Sequence, residues 1–217
     1  MAENRIRRHV PDGTLGQMEI LTFDEALAEA QRPNDAYDVN RWLFVPPRYT
    51  EYRYLLGTRG RNPLICIGIN PSTAKPDALD PTLQSVERIA LGHGFDSFIM
   101  MNVSAQRATD PDDMGGDYPD VLRQGNAAAF EYALSLCGHP VVWAAWGTMI
   151  EKRPYLTGLL RDLVKAGERS SAEWVSFGPR SRKGHPHHPL YLRSDAAMEP
   201  FDVNAYLMLY CSSKQEE

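Results

Sequence analysis

Four short apolar runs constrain the fold of this chain more than any other feature of its sequence. They occupy residues 64–69, 97–103, 141–147 and 173–177. A strand with one face in water alternates apolar and polar residues, whereas a strand covered on both faces reads as an almost continuous apolar run. The four runs therefore predict strands of a parallel sheet that is covered by helices on both faces.

Helical patterns separate these runs and complete the fold prediction. They span roughly residues 81–91, 119–136 and 149–165, with a short helix predicted at 22–30 and a final amphipathic one at 201–210. Strands that alternate with helices predict an α/β class, here a three-layer α/β/α arrangement around a four-stranded parallel sheet. We expect residues 1–50 to be an N-terminal extension packed on the core, and residues 51–217 to form the α/β domain.

Length and charge limit the setting and the partners. A chain of 217 residues, 43% of them hydrophobic, can bury one good core. No apolar run approaches the ~20 residues that cross a bilayer, and residues 1–16 lack the apolar stretch of a secretory signal. We therefore expect a cytoplasmic monomer with no membrane partner. The formal net charge of −5 means that any DNA contact needs a local basic face.

Polar groups stand at the predicted strand ends, which is where ligands bind in open α/β sheets. Gly68 permits close approach of a ligand, and Pro71 fixes the turn after Asn70. Asn102 offers a donor and an acceptor that can read the edge of a base, and Trp146 could wall a pocket. The alternatives are turn and loop asparagines that bond their own backbone, and a core tryptophan.

Three histidines, His185, His187 and His188, crowd the segment after the fourth run. Prolines on both sides hold the segment extended, and no acidic or cysteine partner lies at a recognisable zinc spacing. A metal site, a neutral histidine that donates a hydrogen bond to developing negative charge and a histidine that only packs are the three interpretations. The second is the best functional one, and we expect no metal and no cofactor.

Four motifs occur in order at the predicted strand ends. They are Gly68-Ile69-Asn70-Pro71, Ile99-Met100-Met101-Asn102, Val142-Trp143-Ala144-Ala145-Trp146-Gly147 and His188-Pro189-Leu190-Tyr191-Leu192. Together they resemble the uracil-DNA glycosylase superfamily, and the first resembles its mismatch-specific branch, in which asparagine replaces aspartate. A closer resemblance is to the bacterial and phage family DUF1643. It rests on Tyr52-Arg53-Tyr54-Leu55-Leu56, Asn70-Pro71-Ser72-Thr73-Ala74, Asp80-Pro81-Thr82 and the His188 motif.

The glycosylase resemblance implies a role for each motif. A glycosylase extrudes the nucleotide into a pocket, because the bond is inaccessible inside a duplex. Asn70 would position the attacking water, Asn102 would bind the base edge, and His188 would stabilise the base oxygen. Because Asn70 carries no charge, Asp80 is a candidate carboxylate, although capping of the following helix is an alternative role.

The same resemblance assigns DNA contacts near the last motif. Leu192 falls where the family places the wedge that fills the gap in the base stack. Arg182, Lys183 and Arg193 could grip flanking phosphates, and the alternative for these basic residues is a solvated loop.

Two departures from the family pattern bear on the substrate, and the second one suggests it. No aromatic residue lies between Pro71 and Phe95, so a stacking ring must come from Tyr191 or from the segment 52–54. Uracil-specific members place a tyrosine after the first-motif proline, and it blocks substituents on carbon 5. Here that residue is Ser72, which would admit a bulky pyrimidine.

The function predicted from the sequence is therefore a metal-independent DNA glycosylase for a modified pyrimidine, leaving an abasic site, for instance in repair or in defence against phage with altered DNA. The predicted substrate-binding residues are Gly68, Pro71, Ser72, Asn102, Trp146 and Tyr191. Two alternatives remain open: a catalytically silent binder of a modified base or nucleotide, and a hydrolase of free nucleosides or nucleotides.

Overall fold

The computed structural model describes residues 19–108, 118–190 and 192–212, and within these ranges the chain is an α/β protein with seven strands and five α-helices. The strands are β1 Trp42–Val45, β2 Leu55–Thr58, β3 Pro63–Gly68, β4 Ser97–Asn102, β5 Val141–Ala144, β6 Glu173–Phe177 and β7 Met198–Pro200. The helices are α1 Phe23–Ala30, α2 Pro81–Gly92, α3 Asp120–Ser135, α4 Pro154–Gly167 and α5 Val203–Ser212. None of these helices is long and apolar enough to span a bilayer.

The sheet is mixed, and its strand order is β1-β2-β4-β3-β5-β6-β7. Strands β4, β3, β5 and β6 pair in parallel, and β1, β2 and β7 add to the two edges in antiparallel pairings. The α/β class predicted from the sequence is confirmed. The four predicted strands pair in parallel, but the sheet is mixed and has seven strands among the described residues, so a four-stranded parallel sheet is not confirmed. The three additional strands contain only three or four residues each, which is too short for a periodic pattern to be distinguished from a loop.

The helix starts follow their capping residues. Asp80 Oδ1 accepts a hydrogen bond from the Leu83 amide at 2.9 Å, and Pro81 takes the first position of α2. Thr22 and Glu25 form a capping box at the start of α1. The predicted helix at 149–165 begins later, at Pro154, because residues 147–151 form a separate 3-10 turn.

Two apolar clusters cover the two faces of the sheet. Successive side chains of a strand point to opposite faces, so Ile65 and Ile67 enter one cluster, while Leu64 and Cys66 enter the other. Residues of α1, α3, α4 and α5 pack in the first cluster, and residues of α2 pack in the second. Helix α1 and strand β1 lie within the predicted N-terminal extension, and a domain boundary at residue 50 stays a prediction.

The carboxyl ends of β3 and β4 meet at one edge of the sheet. Gly68 is in register with Asn102, and the pairing continues past the strands, since the Val103 amide donates to the Gly68 carbonyl at 2.9 Å. The two predicted asparagine-bearing turns are therefore brought side by side.

Candidate functional site

A cleft of about 700 Å³ opens at the carboxyl ends of β3 and β4, beside the N-terminus of α2. Its lining comes from six separate parts of the chain: Arg53; Ile69, Asn70, Ser72, Thr73; Asp80, Pro81, Thr82, Leu83; Met100, Asn102, Ala108; Met149; and His188, Leu190. No tryptophan, tyrosine or phenylalanine belongs to this described lining. Five predicted site residues therefore share one cavity: Asn70, Ser72, Asp80, Asn102 and His188.

Asn102 is the most unusual polar group in the cleft. Its relative exposure is 1%, and neither Oδ1 nor Nδ2 has a hydrogen-bond partner among the described residues. Burying an amide without partners costs free energy. Gly68 makes room for it, because a Cβ there would lie 2.8 Å from Asn102 Oδ1. Asn102 therefore has an unpartnered donor and an unpartnered acceptor at the wall of the cleft, among the described residues.

His188 lines the cleft as a neutral donor. Its Nδ1 accepts a hydrogen bond from the Leu190 amide at 3.2 Å, so the proton of the neutral ring lies on Nε2. Burial, followed by the nearby His187, lowers the pKa of His188, and the carboxylate of Asp80 opposes this only in part. The neutral form therefore dominates at neutral pH, with Nε2–H as the hydrogen bond that the ring can offer a ligand.

Helix α2 holds the segment that bears His188. Ser85, which is buried, donates from Oγ to the Pro189 carbonyl at 2.8 Å. Arg88 donates to the Leu192 carbonyl and to Ser85 Oγ, each at 2.9 Å. The position of the His188 ring thus depends on two polar residues of α2.

Asn70 is fixed by backbone carbonyls. Its Nδ2 donates to the Ala108 carbonyl at 2.6 Å and to the Pro71 carbonyl at 3.2 Å. These two bonds set the orientation of the amide and leave Oδ1 as its remaining side-chain acceptor. Asn70 can therefore accept a hydrogen bond from a ligand or a water, but it cannot take up a proton.

Asp80 caps α2 and lines the cleft at the same time. Its negative charge also opposes the lowering of the pKa values of His188, Arg53 and Arg107. The capping role and a role in the site are thus compatible in one side chain.

Arg53 was missed as a site residue in the sequence interpretation. Its relative exposure is 1%, Nη1 donates to the Ala74 carbonyl at 3.0 Å, and Nε has no partner among the described residues. Burial, and then the charge of Arg107, lower the pKa of Arg53 to about 9. A charged residue inside the otherwise apolar segment 52–56 was the signal that pointed to a buried guanidinium.

Arg107 lies beside Arg53 and is also fully buried. Its Nη1 donates to the Ser72 carbonyl, and its guanidinium lies 4.3 Å from the centroid of the Tyr49 ring. Nε and Nη2 have no partner within the described ranges. Burial lowers the pKa of Arg107 to about 10, against the opposing charges of Tyr49, Glu51 and Asp80.

Other predicted substrate contacts lie elsewhere. Trp146 is fully buried in the core, where Nε1 donates to the Tyr206 hydroxyl at 3.2 Å. Gly68 and Pro71 are buried behind the cleft. The stacking candidates Tyr52 and Tyr54 are buried too, with their hydroxyls bonded to the Leu21 backbone. Tyr191 lies outside the described residues.

The predicted DNA contacts differ in their surroundings. Lys183 binds the Glu151 carboxylate at 2.9 Å, and Arg193 binds Asp195 at 2.9 Å. Arg182 is exposed. Leu192 has a relative exposure of 7% and belongs to the core cluster that contains α2, so its side chain lies inside the protein rather than at the surface.

The three histidines separate in space. His185 is buried between the Tyr206 hydroxyl at 2.7 Å and Glu151 at 2.8 Å, His187 bonds the His188 carbonyl at 2.7 Å, and only His188 reaches the cleft. Within the described parts of the chain, no three His, Cys, Asp or Glu residues are grouped to hold a metal ion.

Comparison with known families gives one match. The family described as "Protein of unknown function (DUF1643)" matches residues 53–190, which is more than half of the chain. The chain belongs to the DUF1643 family. The matched segment begins at Arg53 and includes Arg107, Asn102 and His188, so it contains every polar residue of the described cleft lining. Neither the curated proteins nor the solved structures contain a match to the chain.

Proposed function

We propose that the chain is an N-glycosidic hydrolase that removes a 5-substituted pyrimidine from DNA and leaves an abasic site. The observation that carries the proposal is the buried Asn102 amide, which faces the cleft with both polar atoms unpartnered among the described residues. A pyrimidine presents adjacent donors and acceptors along its edge, and a side-chain amide matches them with one acceptor and one donor.

The surrounding residues support a reaction rather than binding alone. Cleavage breaks the bond between the sugar C1′ and the base nitrogen, and the bonding electrons leave with the base. Nε2–H of His188 would donate to a base oxygen as negative charge develops there, which is the stabilisation that a preorganised neutral donor provides. The lowered pKa of His188 keeps this donor neutral, so no proton has to move before the bond breaks.

Water completes the reaction. A water held by Asn70 Oδ1 would attack C1′, its proton would pass to the Asp80 carboxylate and on to solvent, and the departing base would take up a proton from solvent. Asp80 also carries the only negative charge in the described cleft lining, so it would stabilise the positive charge that builds on the sugar.

The choice of a 5-substituted base rests on Ser72, which is partly exposed and lines the cleft. A small side chain at this wall leaves space that a tyrosine would fill. We expect Ser72→Tyr to lower cleavage of the bulky base while the protein stays folded. Equal cleavage of the bulky base by both proteins would contradict this part of the proposal.

The test is an abasic-site assay on DNAs that carry different cytosine and thymine modifications. Wild-type protein should yield alkali-labile breaks in one modified DNA, and Asn102→Leu should abolish them. Asn204→Leu on the exposed face of α5 is the matched control and should cleave like wild type. Intact DNA in every reaction with folded wild-type protein would overturn the glycosylase proposal.

A second candidate is a hydrolase or binder of free nucleotides. It is favoured by the ion pairs Lys183–Glu151 and Arg193–Asp195, which engage two of the predicted DNA-gripping cations, and by the net charge of −5. Release of a free base from nucleosides or nucleotides, with DNA left intact, would support this candidate over the first.

A further inference from the structure

Two buried guanidinium groups lie beside the cleft without full hydrogen bonding. Among the described residues, Arg53 lacks a partner for Nε, and Arg107 lacks partners for Nε and Nη2. Arginine almost never lies in a protein interior unless it is paired, and a guanidinium offers five N–H donors in a fixed planar fork. Three buried N–H-bearing nitrogens therefore have no acceptor among the described residues.

The charges of the pair are also incompletely balanced. Arg53 and Arg107 repel one another, and burial weakens the charged form of each. Asp80, Glu51 and Tyr49 act in the opposite direction, but the pKa of both guanidiniums stays below its ordinary value. Both groups remain protonated at neutral pH, so an anion beside them would be stabilised by two cations at once.

Hydrogen bonds connect the two arginines to residues 72–74 at the wall of the cleft. The Arg53 amide donates to the Ala105 carbonyl at 2.9 Å, and the Arg107 amide donates to the Glu51 carbonyl at 2.8 Å. The side chains in turn hold the carbonyls of Ala74 and Ser72. The arginines thus lie directly behind residues 72–74, and Arg53 itself reaches the cleft wall.

The start of α2 adds to the field at this wall. Asp80, Pro81, Thr82 and Leu83 line the cleft, and the N-terminus of a helix is the positive end of its dipole. The twelve-residue helix is long enough for this effect. Two guanidiniums and one helix end therefore contribute positive potential near this cavity, and the Asp80 carboxylate offsets it only in part.

We propose that Arg53 and Arg107 form an anion subsite that takes a phosphate group of a pyrimidine nucleotide, while Asn102 holds its base. The proposal deepens the proposed function, because it assigns the substrate of that cleft as a phosphorylated unit rather than a bare nucleoside. Guanidinium forks match the geometry of phosphate oxygens. The phosphate can belong to a free nucleoside monophosphate or to the backbone of DNA, since both present anionic oxygens to the subsite.

Calorimetric titration of the intact protein tests the subsite. The probes are inorganic phosphate, a 5-substituted pyrimidine nucleoside, its 5′- and 3′-monophosphates, and a short single-stranded oligodeoxynucleotide that carries the same base and no terminal phosphate. We expect at least one phosphorylated probe to bind about ten-fold more tightly than the nucleoside or better. Inorganic phosphate should compete with that probe and leave nucleoside binding unchanged.

The phosphorylated probe that gains affinity identifies the source of the phosphate. An advantage confined to a monophosphate assigns the subsite to free nucleotides, and an advantage of the oligonucleotide assigns it to the DNA backbone. Equal affinity of the nucleoside and every phosphorylated probe for wild-type protein would overturn the proposal without the need for any variant.

Variants separate the subsite from general effects. In Arg53→Gln and in Arg107→Gln, the affinity of the phosphorylated probe should fall to about that of the nucleoside for the same variant. Arg161→Gln, an exposed position on α4, is the control and should keep the advantage. If either buried variant unfolds, Tyr49→Leu removes the ring beside Arg107 and should reduce the advantage in a folded protein. A phosphate advantage that persists in folded arginine variants would overturn the proposal.

The two proposals fail separately. A phosphate advantage without abasic sites would retain the subsite and overturn the glycosylase. Abasic sites without a phosphate advantage would retain the glycosylase and overturn the subsite.

Discussion

His185 and His188 are three residues apart in the same segment, yet their surroundings differ in kind. Around His185, Nδ1 meets the Tyr206 hydroxyl, Nε2 meets Glu151, and Trp146 donates to the same hydroxyl. In His188, by contrast, Nδ1 accepts a hydrogen bond from the Leu190 amide. The ring lines a cleft in which the Asn102 amide has no partner among the described residues. Satisfied buried networks stabilise a fold, whereas unsatisfied ones lower its stability.

The difference favours the cleft, rather than the His185 network, as the region that binds a ligand. A chain that needed only stability could replace the Asn102 amide with an apolar side chain of similar volume. Local violations of the rules of burial are expected at functional sites, where the rest of the fold compensates for them. The comparison therefore predicts that mutations will act in opposite directions on stability in the two regions.

The largest expected effect is on activity at the cleft. Asn102→Leu should lower turnover of the modified base by about 100-fold or more, because the polar edge of the base would then have no partner. The same variant should raise the free energy of unfolding by about 1 kcal/mol, since an unpaired amide leaves the interior. Urea unfolding and the abasic-site assay on one preparation measure both. A variant that is both inactive and less stable would remove the contrast between the two regions.

The next effect is on stability at the other network. His185→Phe should lower the free energy of unfolding by about 2 kcal/mol, because the Tyr206 hydroxyl loses its acceptor and Glu151 loses a donor. Ligand binding in the cleft should change little, because His185 does not line it. Urea unfolding monitored by tryptophan fluorescence gives the stability. A loss of ligand affinity without loss of stability would mean that this network also belongs to the site.

Most of the cleft could be predicted from the sequence, but the two buried arginines beside it, Arg53 and Arg107, could not. Asn70, Asn102 and His188 were predictable because they end or follow buried strands, and the carboxyl ends of parallel strands converge. Asp80 was predictable as a cap, since Asp-Pro is a helix-start signal that acts within a few residues. These signals are local, so the sequence alone contains them.

The remaining features depend on contacts between distant residues. Arg53 and Arg107 come together through the pairing of Tyr52 with Gln106, which no local pattern reveals. Leu192 resembles a wedge in sequence, but packing near Gly178 buries it. Strands β1, β2 and β7 are too short for a periodic pattern to be recognised. The positions of these residues and strands depend on contacts between distant parts of the chain, and residue type alone does not predict them.

A smaller effect on stability and on kcat is expected when the hydrogen bond between Ser85 and the His188 segment is removed. Ser85→Ala removes a bond to the Pro189 carbonyl and should lower the free energy of unfolding by about 1 kcal/mol. Because Ser85 acts as a positioning residue for the His188 segment, kcat should fall while KM stays near its wild-type value. Ser85→Thr keeps the hydroxyl and should restore kcat. Steady-state kinetics of the two variants check this, and an unchanged kcat in Ser85→Ala would show that the segment is held by other contacts.

The smallest expected effect is on the pH dependence of stability. The folded state lowers the pKa of His188, through burial and then through the charge of His187, with Asp80 opposing. The unfolded chain therefore binds the proton first as the pH falls below about 6.5, and stability decreases from there down to the lowered pKa of the folded state. Urea unfolding at a series of pH values should show a shallower decrease in His188→Gln than in wild type. Activity should stay constant through pH 6.5 and fall only at the lower pH at which the His188 ring of the folded protein becomes charged. The neutral donor of the cleft is then lost. His185 cannot replace it, because both of its ring nitrogens are engaged by Tyr206 and Glu151.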